Sequence, residues 1–457
     1  MGLFDGIINK LTDGIAARLL DDKNKASATV RNYRMGIQPS QLKVRAGQFD
    51  DNITLNFIAL IANRIVSQVI GEGIEFDFEG DDESESEKFI KAALRANHEE
   101  ILFHRAALSG VESGTPYLFI QPGGITGEDG VVYPRLTLLE SAFVTMQHPP
   151  EDFELITSYT IQYKFINDKG KEAARKRVIG RLSTPTDENG TSNVTWEIVD
   201  YIQNAKGEWE VVNRVSWPFY FPPILHWQNL PSLDKAEGEP DITQDLLNQQ
   251  DRINFVASNA SKIIRFYAHP QRYSKLFGQV TKITIGPDEM PNFNDANGGM
   301  FQLEPLGDMA GIMAYLKMLR QAMFDRARVI DIDSMQDKLG ALTNFGLRVL
   351  YQDNISLINT HRELMGDALE ELVLRLLLIA GMEVVPCKVI WPDWMPVNEQ
   401  EEITAITADM AGGLLSKQTA ASIRGYDWET EQERLAAEKT AAGNIGANIL
   451  AAFDQGL

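Results

Sequence analysis

Apolar side chains recur every three or four residues over 52–70, "NITLNFIALIANRIVSQVI", and again over 85–109, which predicts two helices. Between them lies "GEGIEFDFEGDDESESE", with nine acidic side chains from Glu72 to Glu87 and no basic one. It lacks the ordered ligand spacing and turn glycine of a calcium loop, so a solvated, mobile loop is expected. From about 115 to 221 the period shortens to that of strands: "YLFI", "YTIQYKF", "KRVIGRL", "VTWEIVDYI" and "EWEVVNRV". Turn signals separate them at Asp168-Lys169-Gly170, Glu188-Asn189-Gly190 and Ala205-Lys206-Gly207. The expected product is an antiparallel meander packed on the preceding helices, an α+β arrangement.

The texture then changes. After "WPFYFPPILHWQNLP" and the polar "SLDKAEGE", Pro240-Asp241 opens a helical pattern that runs to Ala268, before Pro270. At ~1.5 Å per residue this helix is about 40 Å long. Its stripe passes through Ile242, Leu246, Gln249, Ile253, Val256, Ala260 and Ile264, while Asn248, Gln250, Asn254 and Asn259 flank it. So polar a helix is expected to lie between similar neighbours with one side wet. A short β-like insert, Gln271 to about Gly307, contains the turn-rich "PDEMPNFNDANGG"; a second helix follows from Met309 to about Val329. The pair makes a stalk with a small β tip. Beyond "DIDSMQDKLG" comes the longest helix, about Leu342 to Ala380, with Leu350, Leu357, Leu364, Ala368, Leu372, Leu376 and Ile379 in its stripe. "EVVPCKVIWPDW" returns as a strand, and the tail from Pro396 is helical and acidic.

Charge narrows the function classes. The 457 residues carry a formal charge of −21. Proteins that grip nucleic acid by neutralising phosphates usually carry the opposite sign. One cysteine, Cys387, excludes an intrachain disulfide framework and a cysteine-cluster zinc site, and suits a reducing compartment. No apolar run is long enough to span a bilayer, and no secretory signal pattern is evident. The N-terminal "MGLFDGIINKLTDGIAARLL" is amphipathic, with Leu3, Phe4, Ile7, Leu11, Ile15 and Leu19 near one face. Asp5, Asp13, Asp21 and Asp22 spoil the basic face of a membrane-surface helix, and Gly6 stands where a myristoylation signal wants Ser or Thr. Docking on a protein surface is expected instead.

Catalytic and metal chemistry is sought without success, so no enzyme, cofactor or metal is expected. His98, His104, His148, His226, His269 and His361 are scattered singly. "QPGGITGEDG" lacks the Gly-Lys-Ser/Thr of a phosphate loop, and Ser113 in "ESGTP" lacks a nucleophile elbow's glycines. Asp331 and Asp333, with Asp337 nearby, could hold Mg²⁺ in a nuclease, but solvated loop charge is the expectation. "LLSKQTAASIRGYDWETEQERLA" has the outline of a helix-turn-helix. Its second helix would carry Glu429, Glu431 and Glu433 into the groove, where phosphates repel them. Those carboxylates suit a first helical turn capped by Asp427, and no base reading is expected.

Taken in order, these parts resemble the portal (head-to-tail connector) family of tailed bacteriophages, over nearly the whole chain and best from about 221 to 438. The carrying stretches are "FPPILHWQNLP", "DLLNQQDRINFVASNASKIIRFYAHPQR" and "NFGLRVLYQDNISLINTHRELMGDALEELVLRLL", then "VIWPDWMPVNEQEEI" and "GGLLSKQTAASIRGYDWETEQERLAAE". The resemblance implies a portal fold. Residues 1–238 would be the N-terminal part of the wing, 239–270 and 308–330 the stem helices, and 271–307 the clip. The tunnel loop would be 331–343, the long wing helix and return strand 344–395, and the crown 396–457. It implies a non-enzymatic homo-oligomeric ring, usually a dodecamer, in the virion's portal vertex, assembled in the host cytoplasm. Double-stranded DNA would pass through it without sequence specificity. The implied partners are the terminase motor, head-completion or adaptor proteins, and the major capsid and scaffolding proteins, with no membrane.

Within that frame Lys338, Lys262, Arg265, Lys317 and Arg320 are the candidates for touching DNA, each equally an intersubunit ion pair or a solvated cation. Asp288, Glu289, Asn292, Asn294 and Asp295 are the candidates for motor docking on the clip. The stretch "DIDSMQDKLGALTN" does not align with the family's tunnel loop. Three other classes stay open: an acidic scaffold or minor capsid protein without a channel, a Mg²⁺ nuclease, and a membrane-surface protein.

Overall fold

The computed structural model describes residues 22–47, 49–79, 84–166, 170, 172–183, 194–204, 207–268, 272–275, 299–302, 309–331, 344–395 and 399–437. The chain divides into two compact units. The first comprises Met1–Ser334 with Asp353–Trp394; the second comprises Met335–Gln352 with Met395–Leu457.

In the first unit a helix over 22–34 (α1) precedes α2, Phe57–Ile70. The pattern that predicted a helix from 52 begins five residues early, because Asn56 caps α2 by accepting from the Ala59 N–H at 3.1 Å. The acidic stretch is not simply a loop. Glu75–Phe78 forms β1, which pairs antiparallel with β12, Cys387–Ile390, and Ser84 caps α3, Glu85–Ala96. Glu85 and Glu87 stand in the first turn of α3, where the helix dipole favours carboxylates. The single helix expected over 85–109 is two. Between α3 and α4, Glu99–Ser113, His98 takes a left-handed conformation with φ 54°. Asn97 fixes this break: its amide donates to Ala93 O at 2.8 Å and Pro134 O at 2.9 Å, and its oxygen accepts from Leu136 N.

The antiparallel reading of the strands holds, but they form two sheets. β2 (Tyr117–Thr126) lies between β3 (Val132–Leu139) and β9 (Ile224–His226). A five-stranded meander runs β4 (Val144–Gln147), β5 (Ser158–Ile166), β6 (Glu172–Ser183), β7 (Val194–Gln203) and β8 (Trp209–Trp217). Tyr159, Ile161, Ile179 and Trp196 from the meander pack on Tyr117 and Ile224 from the other sheet. A larger core gathers Ile58, Ile61 and Ile65 of α2, Phe103 of α4 and Leu246 and Ile253 of the next helix. Leu369, Leu372 and Leu376 of the long C-terminal helix complete it.

Helix α5, Gln244–Ala268, is followed by the antiparallel pair β10 (Arg272–Lys275) and β11 (Gly299–Gln302), then by α6, Met309–Arg326. The expected longest helix is interrupted at Tyr351, leaving Asn344–Leu350 in the second unit and a helix of 29 residues, Gln352–Ala380. In the second unit, helices Glu399–Ala411, Lys417–Ile423 and 428–437 follow one another. Ser416 and Asp427 cap the last two, accepting from Thr419 N at 3.1 Å and Thr430 N at 2.8 Å.

Candidate functional site

Helices α5 and α6 run antiparallel. Their far ends are joined through β10 and β11, and their near ends by Arg326 of the last turn of α6, whose Nε lies 2.8 Å from Asp245 in the first turn of α5. One side of α5 is wet, as expected, with Gln244, Asn248 and Arg252 exposed, but part of its polar flank faces inward. Gln250, Asn254 and Ser258 are all buried, and their i, i+4, i+8 spacing aligns them along the helix. They accept from the N–H groups of Phe57 at 3.0 Å, Leu55 at 2.9 Å and Ile53 at 3.0 Å. Gln250 also donates to Leu55 O, and Asn254 donates to Gln38 Oε1 at 2.6 Å. One helical turn advances ~6 Å over four residues, close to the two-residue repeat of an extended chain, so three side chains can stand in for a β-strand partner. Of the flank, Asn248 is exposed and Asn259 half-buried, and Ile264 of the predicted stripe is exposed.

Helix α6 is the reverse case. Of its 18 residues only Met323 and Phe324 are buried. Met313 is 53% exposed and Met318 55%, with Tyr315 beside them, so its upper turns present apolar side chains to solvent. A cleft of about 340 Å³ between this helix and residues 55–57 is lined by Met313, Leu316, Lys317, Arg320 and Asp331.

The four described candidate cations differ. Arg265 is held in a bidentate pair with Asp51, Nε–Oδ1 2.9 Å and Nη2–Oδ2 2.6 Å, and lies over the Phe49 ring. Those hydrogen bonds hold the Asp51 carboxyl below its ordinary range. Arg320 pairs with Asp331 at 2.7 Å and lies over the rings of Phe57 and Phe324. Lys262 and Lys317 are exposed. Asp331 is therefore no solvated loop charge: it is buried against Arg320. Among the described residues no group of three His, Cys, Asp or Glu side chains could hold a metal. Lys338, Asp333, Asp337, the N-terminal segment 1–21 and all five clip candidates (Asp288, Glu289, Asn292, Asn294, Asp295) lie outside the described residues.

Sequence reasoning missed the partners of these cations and the polar side chains inside the core. Asp51 stands 214 residues from Arg265, and nothing local marks the pair. Arg362, on the helix Gln352–Ala380, donates to Gln68 O at 2.9 Å, Val69 O at 3.0 Å and Pro392 O at 2.8 Å, with Trp391 against its guanidinium. It thus serves the C-terminal carbonyls of α2, whose last turn has no basic residue of its own. Arg375 donates to Pro222 O at 3.1 Å and Ile224 O at 2.9 Å and pairs with Glu371. His361 lies between Asn229 O at 2.9 Å and Asp241 Oδ1 at 3.1 Å. His226 faces the Tyr159 hydroxyl at 3.1 Å, and burial pulls its pKa down to about 4.

A family model for SPP1 Gp6-like phage portal proteins matches residues 157–444, more than half of the chain. The chain belongs to that family. A portal, or connector, role in a phage-type virion follows from membership. Two solved structures are similar in chain path. One is a chain in the virion of a native gene transfer agent particle, 13% identical, with TM-score 0.45 over 87% of this chain and 99% of that one. The other is in the neck of an empty gene transfer agent particle computed with C6 symmetry, 12% identical, with TM-score 0.46 over 81% and 90%. No curated protein matches. The mixed helix and antiparallel-sheet architecture agrees with a portal protein.

Proposed function

We propose that this portal protein assembles with copies of itself into a closed ring whose axial channel passes double-stranded DNA. In this reading α5 and α6 are the stem and 271–307 the clip that meets the terminase motor and adaptor proteins. Residues 331–343 form the tunnel loop, 396–457 the crown, and the remainder the wing. The observation that carries it is α6, a long helix with almost no buried residue of its own and with Met313, Tyr315 and Met318 exposed. So little self-burial, with large apolar side chains in solvent, calls for a covering surface. In a ring, the same helix pair of the next copy supplies one.

The ring is tested by electron microscopy of the purified protein, which should show annular particles with a central hole. The double variant Met313→Glu with Met318→Glu should keep its helical circular dichroism and lose the annuli. Rings unchanged in that variant would remove the stem assignment.

The charge gives the channel its mechanics. Phosphate neutralisation supplies most DNA affinity, so a chain of net charge −21 lets a duplex slide rather than hold. Arg265 and Arg320 are already paired with Asp51 and Asp331. Of the five candidate cations that leaves Lys262, Lys317 and Lys338, the last in the proposed tunnel loop, as those best suited to guide the backbone. Replacing Lys338 with Glu should preserve rings and lower packaged DNA per particle; packaging at the wild-type level would remove Lys338 from the channel. A structural role without catalysis accords with the family.

A further inference from the structure

One cleft of the first unit gathers three arginines. Arg31 and Arg34 of α1 and Arg105 of α4 line a space of about 240 Å³, with Leu108 and Leu138 in its wall. Arg31 pairs with Glu140 at 2.9 Å, and Arg34 pairs with Glu112. Both carboxylates also belong to the cleft, so three guanidinium groups face two acids. The surplus charge is that of Arg105, which is exposed and makes no ion pair or hydrogen bond among the described residues. In a chain of net charge −21 this is a local reversal of sign.

Another side of α4 carries the opposite sign. Glu99 and Glu100 of its first turn, Glu72 from the turn after α2 and Glu75 of β1 line a second cleft, of about 610 Å³. Ile74, Phe103 and Ile390 give it an apolar wall. Glu72, Glu75 and Glu100 are exposed, and none of the four carboxylates has a cationic partner among the described residues. At about 3.6 residues per turn, Arg105 stands about 140° around α4 from Glu100, so the two clefts open on different sides of one helix. Each side lacks the charge that the other has to spare.

We propose that the arginine cleft receives the Glu72–Glu100 face of a second copy of this chain, so that each subunit offers carboxylates to one neighbour and guanidinium groups to the other. A head-to-tail ring needs two different patches on every subunit that fit each other. These two are opposite in charge, combine it with apolar walls, and occupy separate sides of the same helix. The contact rests on the ring reading and is independent of the stem helices.

Charge reversal tests it. One variant carries Arg31→Glu with Arg105→Glu, another Glu72→Arg with Glu100→Arg, and a third carries all four changes. A single exposed pair contributes little, but like charges oppose one another at every joint of a ring. Each two-change variant should keep the circular dichroism of the wild type and form at least about tenfold fewer annuli in electron micrographs. The four-change chain, in which the signs are exchanged, should recover them. Wild-type annuli with neither two-change variant reduced, or a loss that the four changes fail to repair, would overturn the contact and leave the ring standing. Wild-type protein without annuli would remove the ring and this contact together. A second measurement spares the charge: Arg105→Lys followed by zero-length carbodiimide coupling. The amine at position 105 should be joined to Glu72, Glu75, Glu99 or Glu100 in a product of double mass. Links confined to its own chain, links only to other carboxylates, or no link from position 105 would refute the docking.

Discussion

Replacing Asn254 with alanine should cost about 2–3 kcal/mol of stability, although the residue sits on a helix and alanine is the better helix former. The side chain is buried and makes three contacts at once. It accepts from Leu55 N at 2.9 Å and from Gln250 Nε2 at 3.1 Å, and it donates to Gln38 Oε1 at 2.6 Å. Truncation leaves the Leu55 N–H without its acceptor on the buried side of a half-buried residue, and the penalty of an unsatisfied buried donor is about 1–3 kcal/mol. Helix propensity returns less than about 0.7 kcal/mol. Asn248→Ala is the control, because Asn248 is exposed and should move stability by no more than about 0.5 kcal/mol. Urea unfolding of the two variants measures the difference. Amide exchange adds a local readout: the N–H groups of Ile53, Leu55 and Phe57 should lose protection in the Asn254 variant first. Equal midpoints for the two variants would mean that the side-chain ladder contributes nothing.

A still larger loss is expected from Arg362→Met, about 3–4 kcal/mol. The guanidinium lies among Gln68 O, Val69 O and Pro392 O and against Trp391, so methionine keeps the volume and abandons three carbonyls. Two of these are the C-terminal groups of α2, which otherwise lack a capping cation. Arg362→Lys should recover less than half of the loss, since one ammonium cannot reproduce a planar fork that reaches three acceptors. Thermal unfolding of the three proteins checks the order arginine, lysine, methionine. Lysine equal to arginine would show that charge alone is needed. Because the chain has two compact units, the transition should be followed on a signal confined to the first.

Much of the element order was legible in the periodicities. The strands around Ile161, Ile179 and Trp196 alternate as a half-buried sheet must, and Ser416 and Asp427 cap the helices that their positions announce. Breaks were not legible. The residues at 96–99 continue a helical pattern, and only the contact of Asn97 with Pro134 and Leu136, some 40 positions away, stops it. Likewise 52–56 extends the helical spacing of α2, yet the N–H groups of Ile53 and Leu55 are taken by side chains of α5 about 200 residues later. A backbone donor makes one bond, and the long-range partner displaced the local one.

The candidate cations show the same limit. Lysines and arginines on a predicted stem helix look alike in sequence, but Arg265 and Arg320 have buried carboxylates within reach while Lys262 and Lys317 face water. Asp331 beside Asp333 reads as surface charge until Arg320 is brought over it.

From sequence alone came the class of elements, their order, the acidic balance and the resemblance to portal proteins, because side-chain period and net charge are local or additive properties. Tertiary structure alone decided which polar flank of α5 turned inward, which cations were neutralised, and which helix was left uncovered. Those outcomes depend on which groups the fold brings together, 214 residues apart for Arg265 and Asp51 and 11 apart for Arg320 and Asp331, and a buried hydrogen-bonding group takes its meaning from the partner that desolvates with it.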